Sequence, residues 1–463
     1  MKDLTECPDY LNLPDCRTRK VKMEQGVFVA YAEYSFDTTE CGHCHSSVLL
    51  IGDKEKNVTY WDAPNFGYPL LVDLTFPDVR CLACGRTPEL PPWISPNHPK
   101  VSKRLAEYIA RRAATLEPFK QIARDTGLSD TLVSDVFMEV FKAWEKDRKF
   151  ELPIRLGIDE VKIRGKYITV LVDATRTKAK VIDVLADKKT TTVRRRLELA
   201  CNGIAVQVVS MDCCKEFREA VHDALPQAQI VADRFHVSKR IEDCFDEVRL
   251  KVWRELSVYY FEKKMQDLER SGKGLDPAAL NKKAMKAAEK LTTKGRERLK
   301  RERYVLFKRR STLTTAEEIK RDLWLGAHPL LKEAYDLKES GLAFLDDEKT
   351  PAEASAEFDR WKASLGKSTA SFFAPAVNYI KPWREEIFRY RNEGDTNAIS
   401  EVKNFAVHVL NTLGRGYGFK VLRARLLWAD HCKSKHWMDG RRGSGMTARK
   451  LTLPSSGTEI GHL

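Results

Sequence analysis

Ile154-Arg-Leu-Gly-Ile-Asp159-Glu160 and Ala205-Val-Gln-Val-Val-Ser-Met-Asp212 are two short apolar runs that end in acids, and their places in the chain decide the fold. Between them lie Tyr167-Ile-Thr-Val-Leu-Val-Asp173 and Lys180-Val-Ile-Asp-Val-Leu-Ala186, joined by a polar turn at Thr175–Lys178. A helical stretch from Thr191 to Cys201 follows, with Val193, Leu197 and Ala200 at helical spacing. Beyond Asp212, a short helix from Lys215 to Leu225 precedes Ala228-Gln-Ile-Val-Ala-Asp233. Apolar runs of this length, bounded by turn residues, predict strands. The order is therefore β-β-β-α-β-α-β.

That is the order of an RNase H-like domain, in which the first and fourth strands lie side by side. Asp159 and Asp212 end those two strands and are expected to come close. Two neighbouring carboxylates repel unless a divalent cation lies between them, and oxygen ligands select Mg²⁺ or Mn²⁺. A pair of ions ~3.5–4 Å apart activates an attacking oxygen and stabilises a leaving one. Taken alone, either Asp reads as a solvated strand end, and Asp212 as a cap for the helix near Lys215. Their joint position in the strand order singles both out.

Toward the N-terminus, Cys41-Gly-His-Cys44 and Cys81-Leu-Ala-Cys84 form two CxxC knuckles. Two residues between thiolates let both sulfurs turn to one ion, and two knuckles supply a tetrahedral zinc site. Val58-Thr59-Tyr60-Trp61 and Leu70-Leu71-Val72-Asp73-Leu74 read as short strands, across which a zinc ribbon brings the knuckles together. Four thiolates leave no open position, so such a zinc is structural. From Pro99 to Lys149 the pattern is helical, and Pro118 to Phe137 reads as two amphipathic helices. Gly127 sits at the turn between them and Ser129 caps the second, a helix-turn-helix arrangement with Asp130, Thr131, Ser134 and Asp135 facing outward. Thr131 and Ser134 are the DNA-contact candidates there.

Composition narrows the class. The 463 residues fit three or four units at roughly 100–200 residues per domain. Lys and Arg number 80 against 66 acids, a net +14 that favours a polyanionic partner, most commonly nucleic acid. No stretch approaches the ~20 apolar residues that span a bilayer, and Met1 to Lys22 lacks the apolar block of a signal peptide. The expectation is a soluble, cytoplasmic protein with no membrane partner, and its 11 Cys point to metal rather than disulfides.

Asp233-Arg-Phe-His236-Val and Thr396-Asn-Ala-Ile-Ser-Glu401-Val-Lys-Asn404 give the chain a wider resemblance. With the Gly-Ile-Asp-Glu strand, Gly416-Tyr417-Gly418-Phe419 and the CxxC front end, it resembles the ISL3 family of bacterial insertion-sequence transposases. Ala398 departs from the family's usual Gly before the Glu. The resemblance implies an Asp-Asp-Glu triad, with Asp159 as its first member and Glu401 as its last. Asp212, at the fourth strand's end, and Asp233, in the Asp-x-x-His motif, both compete for the second place. Asp212 is taken as the metal ligand and Asp233 with His236 as a supporting pair. Asn404, one helical face with Glu401, is placed to hold phosphate or the Glu by hydrogen bonding.

The domains expected are a zinc-ribbon-like unit at 1–96, a helix-turn-helix unit at 97–150 and a first part of the core at 151–240. An α-helical insertion at 241–385, a second core part with the Glu helix at 386–437 and a tail at 438–463 complete an α+β multidomain chain. The many charges of the insertion read as a solvated face, since acids interleave with them. Trp253, Trp324, Trp361 and Trp383 lie there as core residues or, for one of them, as a platform for an exposed base. Arg415, Lys420, Arg423 and Arg425 make a basic stretch suited to phosphate. The resulting expectation is a bacterial, nucleoid-associated DNA transposase that cuts and joins double-stranded DNA at an element's inverted repeats and at a target. It would use two Mg²⁺ or Mn²⁺ ions and a structural Zn²⁺, as a homodimer or larger assembly. A DNA-binding regulator without catalysis, or a nuclease with the same core, are the other readings.

Overall fold

A computed structural model of the chain describes residues 10–389 and 417–434, apart from 14, 35–43, 45, 48, 86–90, 92, 96, 176–179, 203–204, 272–276 and 347–348. The chain divides into two compact units, Met1–Arg148 with Ala406–Leu463, and Lys149–Phe405. Cys41, Glu401, Asn404 and Arg415 lie outside the described residues.

The first unit opens with a four-stranded sheet: β1 (Cys16–Glu24), β2 (Val27–Tyr34), β3 (Leu49–Asn65) and β4 (Tyr68–Cys81), in the order β1-β2-β4-β3. Its core gathers Val21, Ala30, Tyr60, Leu70, Val72 and Leu74 under Trp93 and Ile94. β3 and β4 contain the two strands expected around Tyr60 and Val72. β1 and β2 are additional, and their signal was the Gln25-Gly26 pair, whose φ of 48° and 82° makes the tight turn between them. Three helices follow, α1 (Lys103–Ala114), α2 (Phe119–Thr126) and α3 (Asp130–Asp147). Gly127 turns between α2 and α3 at φ 74° with no room for a side chain, since a Cβ there would meet the Trp61 ring at 2.6 Å. Ser129 Oγ accepts the Leu132 N–H at 3.2 Å and starts α3, as expected. The sheet is tied to α1 by Asp62, wholly buried, which accepts from Ser102 Oγ at 2.7 Å and from the Arg104 guanidinium.

The chain's last described helix, α13 (Phe419–Ser434), also belongs to this unit. Trp428 Nε1 donates to Ala110 O at 2.8 Å and Arg423 pairs with Glu145 at 2.6 Å. Arg425 is fully buried, donating to Ala113 O, Glu117 O and Tyr417 Oη. Arg423 and Arg425 are therefore packing residues, not free phosphate ligands, whereas Lys420 stays exposed.

The second unit holds a five-stranded mixed sheet: β5 (Arg155–Ile163), β6 (Lys166–Asp173), β7 (Val181–Leu185), β8 (Val208–Met211) and β9 (Gln229–Ala232). The order is β7-β6-β5-β8-β9, with β5, β6 and β7 antiparallel and β5, β8 and β9 parallel. The first and fourth strands of the unit are thus neighbours, as the sequence order required. α4 (Thr190–Glu198) and α5 (Lys215–Ala224) place Val193, Leu197, Phe217 and Val221 in one core with Leu156, Ile158, Val209, Met211 and Ile230. Side chains alternate between the faces of a strand, so Asp159 points away from the face that Ile158 fills.

Helices then take over: α6 (Arg234–Arg270), α7 (Pro277–Phe307), α8 (Thr315–Ala327), α9 (Pro329–Ala343), α10 (Pro351–Ala363), α11 (Ala370–Ile380) and α12 (Arg384–Arg389). Thr314 with Glu317 and Thr350 with Glu353 form capping boxes that start α8 and α10. Trp324, Trp361 and Trp383 are buried, and Trp253 is half-buried under the Arg296 guanidinium. α12 comes back to the sheet edge, where Arg389 donates to Ile230 O of β9 at 3.2 Å. The segment expected as one second core part, 386–437, thus divides: its first residues pack on β9, while α13 packs on α1 and α3 because its apolar face and Arg425 match their aromatic rings and the Ala113 carbonyl.

Candidate active site and metal centres

β5 and β8 pair in parallel with Ile158 opposite Met211; the next residue on β5, which runs on to Ile163 so that Asp159 lies mid-strand rather than at the strand end expected, and the first residue after β8 are both aspartates. Asp159 is 4% exposed and Asp212 is partly buried. Asp159 Oδ1 accepts its neighbour's N–H, that of Glu160, at 2.7 Å. Asp212 does not cap α5: the N-cap is Cys214, which has no capping side-chain bond. Its carboxylate faces His236. There His236, in the first turn of α6, places Nε2 3.0 Å from Asp212 Oδ1 and 3.7 Å from Asp233 Oδ2. Asp233 caps α6, with Oδ1 accepting the Phe235 N–H at 2.9 Å, and its own N–H bonds Met211 O at 2.9 Å. One acid thus fixes the imidazole's helix against the end of β8, and the imidazole reaches the other acid.

Oxygen or nitrogen ligand atoms of Asp159, Asp212 and His236 all lie within 4.8 Å of one another. Two other acids of the sheet, Asp173 at the end of β6 and Asp183 in the middle of β7, have local tasks. Asp173 accepts from Thr175 N and Oγ1 at 3.0 and 2.7 Å, and Asp183 pairs with Arg196 at 2.5 Å. Behind Asp212, burial pushes the Cys213 thiol up to about 12 and that of Cys214 to about 11, so both stay neutral beside the acids. The Arg218 guanidinium, stacked 3.4 Å from the Trp383 ring and paired with Glu386 at 3.0 Å, ties α5 to the returning chain near α12. Sequence reading missed this clamp, because its partners lie more than 160 residues away.

The first unit holds a second cluster. Sγ atoms of Cys44, Cys81 and Cys84 lie within 4.8 Å of one another, with Cys44 and Cys81 at 3.5 Å. The N–H of Cys84 leads the effects that hold the Cys81 thiol down at about 6, against the effect of burial. A thiol held that low is a thiolate near neutral pH, the form that ligates a soft cation. β4 delivers Cys81 at its end, paired with Leu49 on β3, as the hairpin expected from the knuckle spacing would.

On α3, Thr131 is exposed and Ser134 half-buried, beside exposed Asp130 and Asp135. They line one open groove with Lys120, Gln121 and Arg124 of α2 and Tyr417. Lys120 and Arg124, missed by sequence reading, are exposed one turn apart opposite Phe119, Ile122 and Ala123, which are buried. That i, i+4 spacing on the outer face was their signal.

The chain is similar in sequence to known transposases. Residues 156–426 match the family model for transposases of the ISL3 type, more than half of the chain. Two proteins of Mycobacterium tuberculosis, from strains CDC 1551 and H37Rv, are each a transposase for insertion sequence element IS1557. Each is 23% identical over 385 residues, covering 81% of this chain and 82% of its own. The matched span begins on the strand that carries Asp159 and runs past Asp212, His236 and Glu401, and the chain belongs to the ISL3 transposase family.

Proposed function

We propose that this transposase cleaves DNA at the ends of its element and joins them to a target at one site, built on Asp159, Asp212 and Glu401. The observation that carries the proposal is the convergence of Asp159, Asp212 and His236 from three elements, β5, the end of β8 and the start of α6, to within one ion's coordination distance. The donor set fits Mg²⁺ or Mn²⁺: two carboxylates, one of them almost fully buried, where charge repulsion calls for a cation. A pair of such ions bound there would lower the pKa of an attacking water and stabilise the leaving oxygen.

The chain's own residues fix the geometry. Asp159, held in a paired strand, keeps its carboxylate beside that of Asp212 without loop freedom. His236 donates from Nε2 to Asp212 and orients it, while Asp233 holds the helix that carries His236. The chain returns to the β9 edge at Arg389, shortly before Glu401 and Asn404, which supports Glu401 as the third carboxylate and Asn404 as its neighbour on phosphate. After hydrolysis exposes a 3′-OH, the same residues would align that hydroxyl with a target phosphate for in-line transfer.

Around this core, Cys41, Cys44, Cys81 and Cys84 would hold a structural Zn²⁺ that pins the β3–β4 hairpin. Thr131, Ser134, Lys120 and Arg124, with Arg415 and Lys420, would contact the element's inverted repeats, two ends being held by a dimer or larger assembly. The test is incision and strand transfer, with a labelled duplex carrying the element's own end, a target plasmid and Mg²⁺. Joined product from the wild type and none from Asp159→Ala is expected. Incision without joining would leave a nuclease, and specific binding without either would leave a regulator.

A further inference from the structure

α7 carries ten Lys and Arg against three Glu, half of the chain's net charge of +14. Interleaved acids do not neutralise it. Glu302 is buried, accepting from Arg298 at 2.9 Å and from Trp324 Nε1 at 2.9 Å. Arg296 is tied to the carbonyls of Trp253 and Arg254. The remaining eight, Lys282, Lys283, Lys286, Lys290, Lys294, Lys300, Arg301 and Arg303, are all exposed. Each forms no ion pair among the described residues. The run is a solvated face, as expected, but one whose positive charge the interleaved acids leave largely uncancelled.

Their arrangement has direction. Ala284, Ala288, Thr292 and Leu299 are buried on one side of α7, and Gly295 lies under Tyr260 of α6, where a Cβ would meet the ring at 2.8 Å. At about 100° per residue, Lys283, Lys286, Lys290, Lys294 and Arg301 fall on the opposite side within an arc of about 80°. Glu297 is the one acid in that arc. At 1.5 Å per residue the stripe is about 27 Å long, the rise of about eight base pairs of B-form DNA. Flexible, strongly hydrated ammonium groups suit phosphates and read no base edges.

We infer that this face of α7 is a sequence-independent docking surface for the phosphate backbone of duplex DNA, apart from the helix-turn-helix groove. The inference rests on the reading of the chain as an enzyme that acts on DNA, and it adds a surface where that DNA lies along the helical insertion. Docking neutralises phosphates and releases their condensed cations, so the stripe contributes a salt-dependent share of affinity.

The experiment uses the full chain and a fluorescein-labelled 30-base-pair duplex of random sequence, titrated across a KCl series without divalent ions. The stripe variant is K283Q/K286Q/K290Q/K294Q. The charge-matched control, K320Q/K332Q/K362Q/K367Q, removes four Lys from the same helical insertion. Because seven of the eight replaced side chains are exposed and Lys320 is half-buried, circular dichroism of both variants should match the wild type. The slope of log affinity against log salt is expected to fall by about three to four in the stripe variant, near 0.9 per lost contact. Its affinity near 0.1 M KCl is expected to drop at least tenfold, with little change in the control. An unchanged slope, an equal loss in the control, or no salt-dependent binding by the wild type would overturn the inference. So would a loss confined to a matched RNA duplex. Incision by Asp159 is read separately in Mg²⁺, so failure here leaves the catalytic proposal standing, and the reverse holds.

Discussion

Replacing Arg425 with Met tests whether the two ends of the chain build one folding unit. Arg425 lies on α13, fully buried, with its guanidinium 4.6 Å from the Phe119 ring centre. It donates to Ala113 O at 3.2 Å, to Tyr417 Oη at 2.7 Å and to Glu117 O. Burial pushes its pKa down, yet an arginine's ordinary value is high enough that the charge remains. Met fills much of the same space but removes two hydrogen bonds from a charged donor, one to Glu117 O and one to Ala113 O, which keeps the Leu116 N–H, at roughly 1.5–3 kcal/mol each. Relief of the buried charge's desolvation offsets part of this, so a net loss of about 3 kcal/mol is expected. Hydrogen exchange of peptides from α13 reads the local opening. At 1.4 kcal/mol per decade, exchange should quicken about 100-fold, together with that of α1, while β5 peptides are unaffected. Acceleration below tenfold in α13, or an equal one in β5, would refute the reasoning.

Three further outcomes follow from other contacts. Gly127→Val places a branched side chain at φ 74° against the Trp61 ring, and should unfold the α2–α3 turn and abolish specific end binding, seen as lost footprint protection. His236→Gln should lower incision by roughly 10- to 100-fold through a misoriented Asp212, with duplex affinity unchanged; equal loss of both would count against a positioning role. Cys81→Ser should lower zinc content, measured by chelator release and metal analysis, from one ion per chain to well below one, and a full ion in the variant would remove Cys81 from the ligands.

The sequence made the second unit's sheet legible because its strands are short apolar runs with breaks between them. Strand order alone brought Asp159 and Asp212 together, and the parallel register puts them side by side. What sequence left open for Asp212, ligand or cap, depended on which N–H groups reach it, and the helix after it is capped without its side chain. The Cys cluster was legible from spacing, and three of its sulfurs gather where the β3–β4 hairpin ends. Less visible were partners far along the chain. Nothing near Arg425 announced that it would dock on α1, over 300 residues earlier. The interleaved acids of α7 suggested an ordinary solvated face, and that Glu302 turns inward to Trp324 was not visible in the sequence.

The central claim is that carboxylates from separate strands share divalent cations. Mn²⁺ titration of the full chain, bound to a duplex with its element's end and followed by electron paramagnetic resonance, tests it directly. Two ions should bind the wild type, and Asp159→Asn and Asp212→Asn should each lose them, along with incision. Undiminished Mn²⁺ uptake by both variants, or incision by wild type in excess EDTA, would contradict the account.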